Sequence, residues 1–385
     1  MTTPRRALLT TIAAGAALAI TACAPPSSSG TSSSSSSVAA SSGATAAVAP
    51  KDATSAAAAG GLDALIAAAK KEGTLNVIAL PPEWANYGEI LPAFTAKYGI
   101  KINSANPEGS SQEEINAVNQ LKGTDRAPDV LDLGMAVTLA NTSLYAPYQV
   151  ATWKDVPDAK KDATGLWIQD YSGTMSIGYD SAKVPAPTSV ADLLKPDYKG
   201  KVALNGDPTQ ANAALLGVMM TSIAQGGSAD DVSKGVDFFK QLKAAGNFVP
   251  LQATPATVKN GTTPVVIDWD YLNAGQVKAV PTWKVVVPSN AVLSAYYAQA
   301  ISKNAPHPAA ARLWEEFLFS DEGQNLYLKG GTHPVRFDAM TTAGTLDPAA
   351  AKAVPAVSGT AVLLTPEQNT KAKAYLAANW SKAIS

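Results

Sequence analysis

The chain has 385 residues, with 30 basic and 31 acidic side chains, two histidines and one cysteine. The balanced charge shows no basic patch, which argues against a nucleic-acid partner. One cysteine excludes an internal disulfide and leaves no basis for a thiolate metal site. His307 and His333 both adjoin proline, a poor setting for histidine-based catalysis or a zinc site. No catalytic residue, no metal and no cofactor is expected.

Arg5 and Arg6 open the chain, and an apolar run from Ala7 to Ile20 follows. The run is too short to cross a bilayer, which takes about 20 apolar residues. It ends in Ile20-Thr21-Ala22-Cys23, which resembles the bacterial lipobox. Residues 1–23 are therefore expected to be a lipoprotein signal peptide, with Cys23 acylated as the anchor. Arg5-Arg6 also resembles a twin-arginine export signal, so the export route stays open. Residues 24–60 are dominated by serine, alanine, glycine and threonine. Such a segment cannot bury enough surface to offset its ordering entropy, and reads as a disordered tether.

The remaining residues exceed what one hydrophobic core usually organises, which predicts two lobes. Leu62, Leu65, Ile66 and Ala69 lie at helical spacing before the stop at Gly73. A short strand from Thr74 to Leu80 leads into the loop Pro81-Pro82-Glu83-Trp84. A second helix carries Ile90, Leu91, Phe94 and Tyr98 and stops at Gly99, before a strand over 100–104. Gly109-Ser110-Ser111 opens a helix, with Glu114 completing a capping-box pattern from Ser111. Strands are predicted over 129–133, 175–179, 201–205, 264–268 and 283–287. Helices are predicted around Leu215–Met219, Val236–Leu242 and Ala309–Phe319. Alternating strands and helices argue for α/β lobes with a mainly parallel sheet.

Several segments match in order a known family: Lys70-Lys71-Glu72-Gly73, Ala127-Pro128-Asp129-Val130, Met175-Ser176-Ile177-Gly178-Tyr179, Pro196-Asp197-Tyr198-Lys199-Gly200-Lys201, Phe317-Leu318-Phe319-Ser320-Asp321-Glu322-Gly323-Gln324 and Gly330-Gly331-Thr332-His333-Pro334-Val335-Arg336. Over nearly the whole body the chain resembles the extracellular solute-binding proteins of ABC importers, in the group that binds polyamines, ferric iron or phosphonates. The resemblance implies a two-lobed, type II periplasmic-binding-protein-like α/β fold with a hinge and an interlobe cleft. Lobe 1 would comprise 61–176 and 292–385, and lobe 2 would comprise 177–291. It implies a monomer, lipid-anchored on the outer face of the cytoplasmic membrane, that touches the membrane through its anchor only. Its partners would be a small solute and the importer's permease and ATPase subunits.

The ligand candidates cluster in loops. Glu83, Trp84 and Tyr87 follow a strand and offer the carboxylate and aromatic faces an organic cation needs. Asp268, Trp269, Asp270 and Tyr271 form a second such block, where the resembling proteins place contacts from lobe 2. Tyr296 and Tyr297, just beyond the expected return crossover, stand where polyamine binders carry a carboxylate. Ser110, Ser111 and Thr209 lie at helix-opening turns that could take an anionic group. Arg336 is the candidate partner for a carboxylate or phosphonate. These residues lean toward a polyamine or similar organic cation, with ferric iron and 2-aminoethylphosphonate as alternatives. A cell-surface hydrolase is the alternative of another class, but no nucleophile-elbow, zinc-helix or phosphate-loop motif supports it.

Overall fold

The computed structural model describes residues 47–385 apart from Pro355, Ala356 and Ser358. Cys23, the signal peptide and residues 24–46 of the expected tether lie outside the described residues; residues 47–60 are not disordered as expected, because Pro50–Asp52 form a helical turn, Ala53 is buried, and Arg312 donates to the Ala53 and Lys51 carbonyls. Among the described residues twelve strands run in chain order: β1 Thr74–Ile78, β2 Lys101–Ala105, β3 Val130–Gly134, β4 Tyr145–Ala146, β5 Ile168–Asp180, β6 Val202–Leu204, β7 Phe248–Gln252, β8 Val265–Trp269, β9 Trp283–Val286, β10 Leu293–Ser302, β11 His333–Pro334 and β12 Val362–Leu363. Among the described residues, no helix is long and apolar enough to cross a membrane.

Ten strands join in one sheet, and β5 runs through both halves of it. Ile168–Thr174 of β5 pair with β10, which also pairs with β3 and β4. Met175–Asp180 of β5 pair with β8 and β9, and β8 continues through β6 to β7. The pairs of β5 with β8, β9 and β10, and of β10 with β3 and β4, are antiparallel. The expectation of a mainly parallel sheet is therefore corrected to a mixed one. The cause is topological: the chain leaves the first half along β5 and comes back along β10 beside it, so these long strands run in opposite directions. Tyr296 and Tyr297 lie inside β10, not beyond the crossover.

Parallel pairing persists where helices connect the strands, in β1–β2, β6–β7 and β6–β8. The β1–β2 pair is joined to the front of β3 by polar bonds. The Asn76 amide donates to Asp129 Oδ2 at 2.6 Å, and the Asp129 amide donates to the Asn76 carbonyl at 3.0 Å. Helices Leu62–Glu72 and Tyr87–Tyr98 end at Gly73 and Gly99, both left-handed at φ 72°. A side chain is disfavoured there, so these glycines set where each chain segment turns into its strand.

The main core gathers both halves, from Phe94, Trp314 and Phe317 to Val218, Phe239 and Trp380. Helix Pro366–Ile384 packs Leu376 and Trp380 against helix Ser233–Ala244, which ties the end of the chain to the second half.

Candidate functional site

A cavity of about 840 Å³ opens between the two halves of the sheet. Residues drawn from the stretches 79–89 and 107–114, with Asp132, line it from one side, and residues drawn from 205–213, 252–259 and 266–279 from the other, with Tyr297 between. Its lining carries eight carboxyl side chains against three lysines.

The loop after β1 enters the cavity through a tight path. Ala79, Ala85 and Asn86 all adopt positive φ, at 55°, 46° and 70°. For alanine this costs backbone energy that the surroundings must offset. Asn86 Nδ2 donates to the Leu326 carbonyl at 2.9 Å and helps fix the turn. Trp84 is thereby held half-buried, with its ring edge-on to Tyr297 at 5.4 Å and Tyr271 at 6.3 Å. Its indole Nε1 donates to the Tyr171 hydroxyl at 2.6 Å. Tyr271 lies against β5 at Gly173, where an added Cβ would stand 2.5 Å from its ring.

Behind this aromatic wall sits a buried acid network. Asp132 Oδ2 accepts from the Tyr87 hydroxyl at 2.8 Å and the Tyr171 hydroxyl at 2.9 Å. Asp170 Oδ2 accepts from Gln299 at 2.9 Å and from Tyr327 at 3.3 Å, while Tyr87 and Tyr327 join at 3.0 Å. Burial raises both carboxyls above the usual carboxylate range, and the Asp132 charge raises Asp170 further. Glu114, buried beside them, is also pushed up by desolvation and by Asp132. Among the described residues, Asp132 Oδ1 and the Tyr271 hydroxyl make no hydrogen bond, while the Asn212 amide lies against Tyr297 and lowers its pKa. All three residues line the cavity. Buried polar atoms left without partners are costly, and two of them gather here.

On the opposite side, Asp268 is pushed up to about 7 by burial, opposed by bonds from the Trp269 amide and Asn205. Both its oxygens are engaged: Oδ1 accepts from the Trp269 amide at 2.8 Å and Oδ2 from Asn205 at 3.0 Å.

Comparison with known proteins decides what kind of molecule carries this cleft. Residues 131–361, more than half of the chain, match the family of bacterial extracellular solute-binding proteins. The chain belongs to that family. A probable ABC transporter periplasmic-binding protein of Sinorhizobium fredii is 27% identical over 182 residues, 46% of this chain and 50% of the relative. The match thus spans about half the length of that curated relative. Among solved structures, a putative spermidine/putrescine ABC transporter protein of Listeria monocytogenes is 14% identical, with a TM-score of 0.62, over 81% of this chain and 98% of its own. Iron-bound HitA of Pseudomonas aeruginosa is 22% identical, with a TM-score of 0.56, over 79% and 97%. AfuA of Actinobacillus pleuropneumoniae, solved with fructose-6-phosphate, is 17% identical, with a TM-score of 0.63, over 81% and 98%. At these identities the likeness shows the fold, which is the two-lobed type II periplasmic-binding-protein architecture.

Within this solute-binding protein, Glu83, Trp84, Ser110, Ser111, Asp268, Tyr271 and Tyr297 line the cavity. The other named residues stand apart from its lining. Tyr87 is fully buried and reaches the site only through Asp132. Trp269 lies beneath, stacked on Tyr271 and donating to the Tyr297 hydroxyl at 3.4 Å. Asp270 uses Oδ1 to accept from the Thr174 and Tyr271 amides, and burial pushes it up to about 6. Thr209 bonds Asp207 in its own turn. Tyr296 points to the other face of β10 from Tyr297 and meets Lys160, 2.6 Å from its hydroxyl. Arg336 is buried and held by Asp155, Asp321 and the Phe319 carbonyl, so its guanidinium is already paired.

The capping box falls one residue earlier than its sequence pattern, with Ser110 as cap and Glu113 closing it. That shift frees Ser111 to accept from the Gly134 amide at 3.0 Å and Glu114 to accept from the Asp132 amide at 3.1 Å. Asp132, Glu114 and Asn212 were missed by sequence reasoning. The alternation in Leu131-Asp132-Leu133 was the available signal, since it aims a carboxylate at the face opposite two core leucines.

Proposed function

We propose that this protein captures a small organic cation, a polyamine or a similar amine, outside the cytoplasmic membrane and passes it to the permease and ATPase subunits of an ABC-type importer. In this reading it binds without catalysis, as a monomer tethered through lipidated Cys23. The lobe built around 61–176 and the segment that follows β10 closes on that built around 177–291, to which helix Pro366–Ile384 belongs rather than to the first lobe as its place in the sequence suggested. The observation that carries the reading is the unpartnered Asp132 Oδ1, in an acid-rich cavity beside Trp84, Tyr271 and Tyr297. A desolvated carboxylate and aromatic faces add their attractions for an ammonium group.

Ferric iron is the second reading, carried by two tyrosines in one cavity. Burial raises the Tyr271 phenol well above its ordinary value and raises that of Tyr297 too, which works against the phenolates such a site needs. A melting screen over putrescine, spermidine, ferric citrate and 2-aminoethylphosphonate separates these. The expected result is an upward shift with an amine-bearing compound; a shift with ferric citrate alone overturns the cation reading.

A further inference from the structure

One side chain touches the aromatic wall and the buried acid at once, yet does not line the cavity. Tyr171 of β5 is fully buried, just before the point at which β5 changes partners from β10 to β8. Its hydroxyl accepts from Trp84 Nε1 at 2.6 Å and lies 2.9 Å from Asp132 Oδ2, to which it donates. Its ring stacks on Tyr297 at 5.7 Å and meets Tyr271 edge-on at 6.1 Å. Trp84, Asp132, Tyr271 and Tyr297, the four residues it holds, all line the cavity.

Chemistry fixes the direction of these bonds. An indole N–H only donates, so the Tyr171 oxygen accepts from Trp84 and its single proton is left for Asp132. Asp132 Oδ2 takes a second hydroxyl proton from Tyr87 at 2.8 Å, and Gln299 Nε2 donates to the Tyr87 oxygen at 3.1 Å. Two donors converge on one carboxylate oxygen, an arrangement that favours the ionised form. Burial works the other way and holds the Asp132 carboxyl up to about 7. The acids Glu114 and Asp170 face Asp132 from the neighbouring elements, and so do the phenols of Tyr87, Tyr271, Tyr297 and Tyr327. None of these groups is basic, so the hydroxyl donors are what sustain the charge.

We propose that Tyr171 is the positioning residue of this site: its hydroxyl clamps the Trp84 face and the Asp132 carboxylate in one fixed relation and so sets how strongly the cavity answers an ammonium group. This rests on the cation reading and adds to it a residue behind the wall. A ring that merely packed would hold the aromatic wall but would have no control over the ionisation of Asp132. Tyr171→Phe separates the two roles, because it keeps the ring and removes one of the two donors to Oδ2.

The test is calorimetric titration with putrescine and spermidine from pH 5.5 to 8.5, with melting of the ligand-free protein over the same range. In the wild type, amine affinity falls as pH drops through about 7. In Tyr171→Phe that midpoint moves up by about one pH unit, and affinity at pH 7 falls about fivefold to tenfold. Melting reads the same event without a ligand. Unfolded aspartates ionise near 4, so the loss of stability with rising pH, which levels near 7 in the wild type, continues to about 8 in Tyr171→Phe. In an Asp132→Asn background, adding Tyr171→Phe leaves the melting profile in place. An unmoved midpoint in Tyr171→Phe, or an equal shift in the Asp132→Asn background, overturns the proposal. If neither amine binds the wild type, the cation reading falls, and the melting series still decides whether Tyr171 governs Asp132. Should Tyr171→Phe fail to fold, Trp84→Phe breaks the same chain of bonds from its other end. It should give a smaller upward shift, and a midpoint that stays in place there overturns the proposal.

Discussion

Asp132, in the middle of β3, and Asp268, next to the end of β8, are both buried and line the same cavity from opposite halves of the sheet. Their bonding differs. Asp268 has both oxygens engaged by its neighbours, whereas Asp132 has one oxygen held by two tyrosines and the other free. Residue type and burial make the two alike; only the surrounding donors separate an acid with both oxygens satisfied from one with an oxygen left unpaired. The difference teaches that, in a cleft rich in carboxylates, the informative quantity is the number of unsatisfied lone pairs and not the number of acids.

The sharpest break of that contrast is a pair of isosteric substitutions. Asp132→Asn is expected to weaken the cationic ligand roughly 100-fold, in the range for losing one partner of a buried charge pair. Asp268→Asn is expected to cost less than about tenfold in affinity and to lower the melting temperature instead, since it disrupts a satisfied acceptor. Titration of both variants checks this, and equal losses would erase the distinction.

A pH series sharpens it. Unfolded aspartates ionise near 4, while burial holds Asp268 up to about 7 and Asp270 up to about 6. Between those values the unfolded chain has released protons that the folded one keeps, so stability falls as pH rises from about 4 to about 7 and then levels. Melting of the ligand-free protein should therefore be higher at pH 5 than at pH 8. A cationic ligand, which favours the ionised acids, should narrow that gap.

The smallest expected effect on binding is at Arg336. Arg336→Ala breaks its bonds to Asp155, Asp321 and the Phe319 carbonyl, with an expected stability loss of about 2 kcal/mol and unchanged ligand affinity. A denaturant melt with a titration alongside reads both, and a loss of affinity without a loss of stability would return Arg336 to the site.

Helix ends at Gly73 and Gly99, and the aromatic-acid loop after β1, were legible because local chemistry determines them. Trp84, Tyr271 and Tyr297 were legible as aromatic ligand candidates for the same reason. The direction of β10 and the acid network were not. Asp132, Asp170, Tyr87, Gln299 and Tyr327 come from five separate stretches of chain, and they meet only because β3, β10 and β5 pair antiparallel. Arg336 misled because a guanidinium in a loop looks available until its two distant aspartates are in place.

Gly173 sets a limit that no polar group sets. With only hydrogen on its α-carbon, it lets the Tyr271 ring press onto β5. The reach of the chamber on that side is therefore governed by the thinnest possible lining, and any larger residue at 173 would shift the ring and reshape the space a guest can occupy.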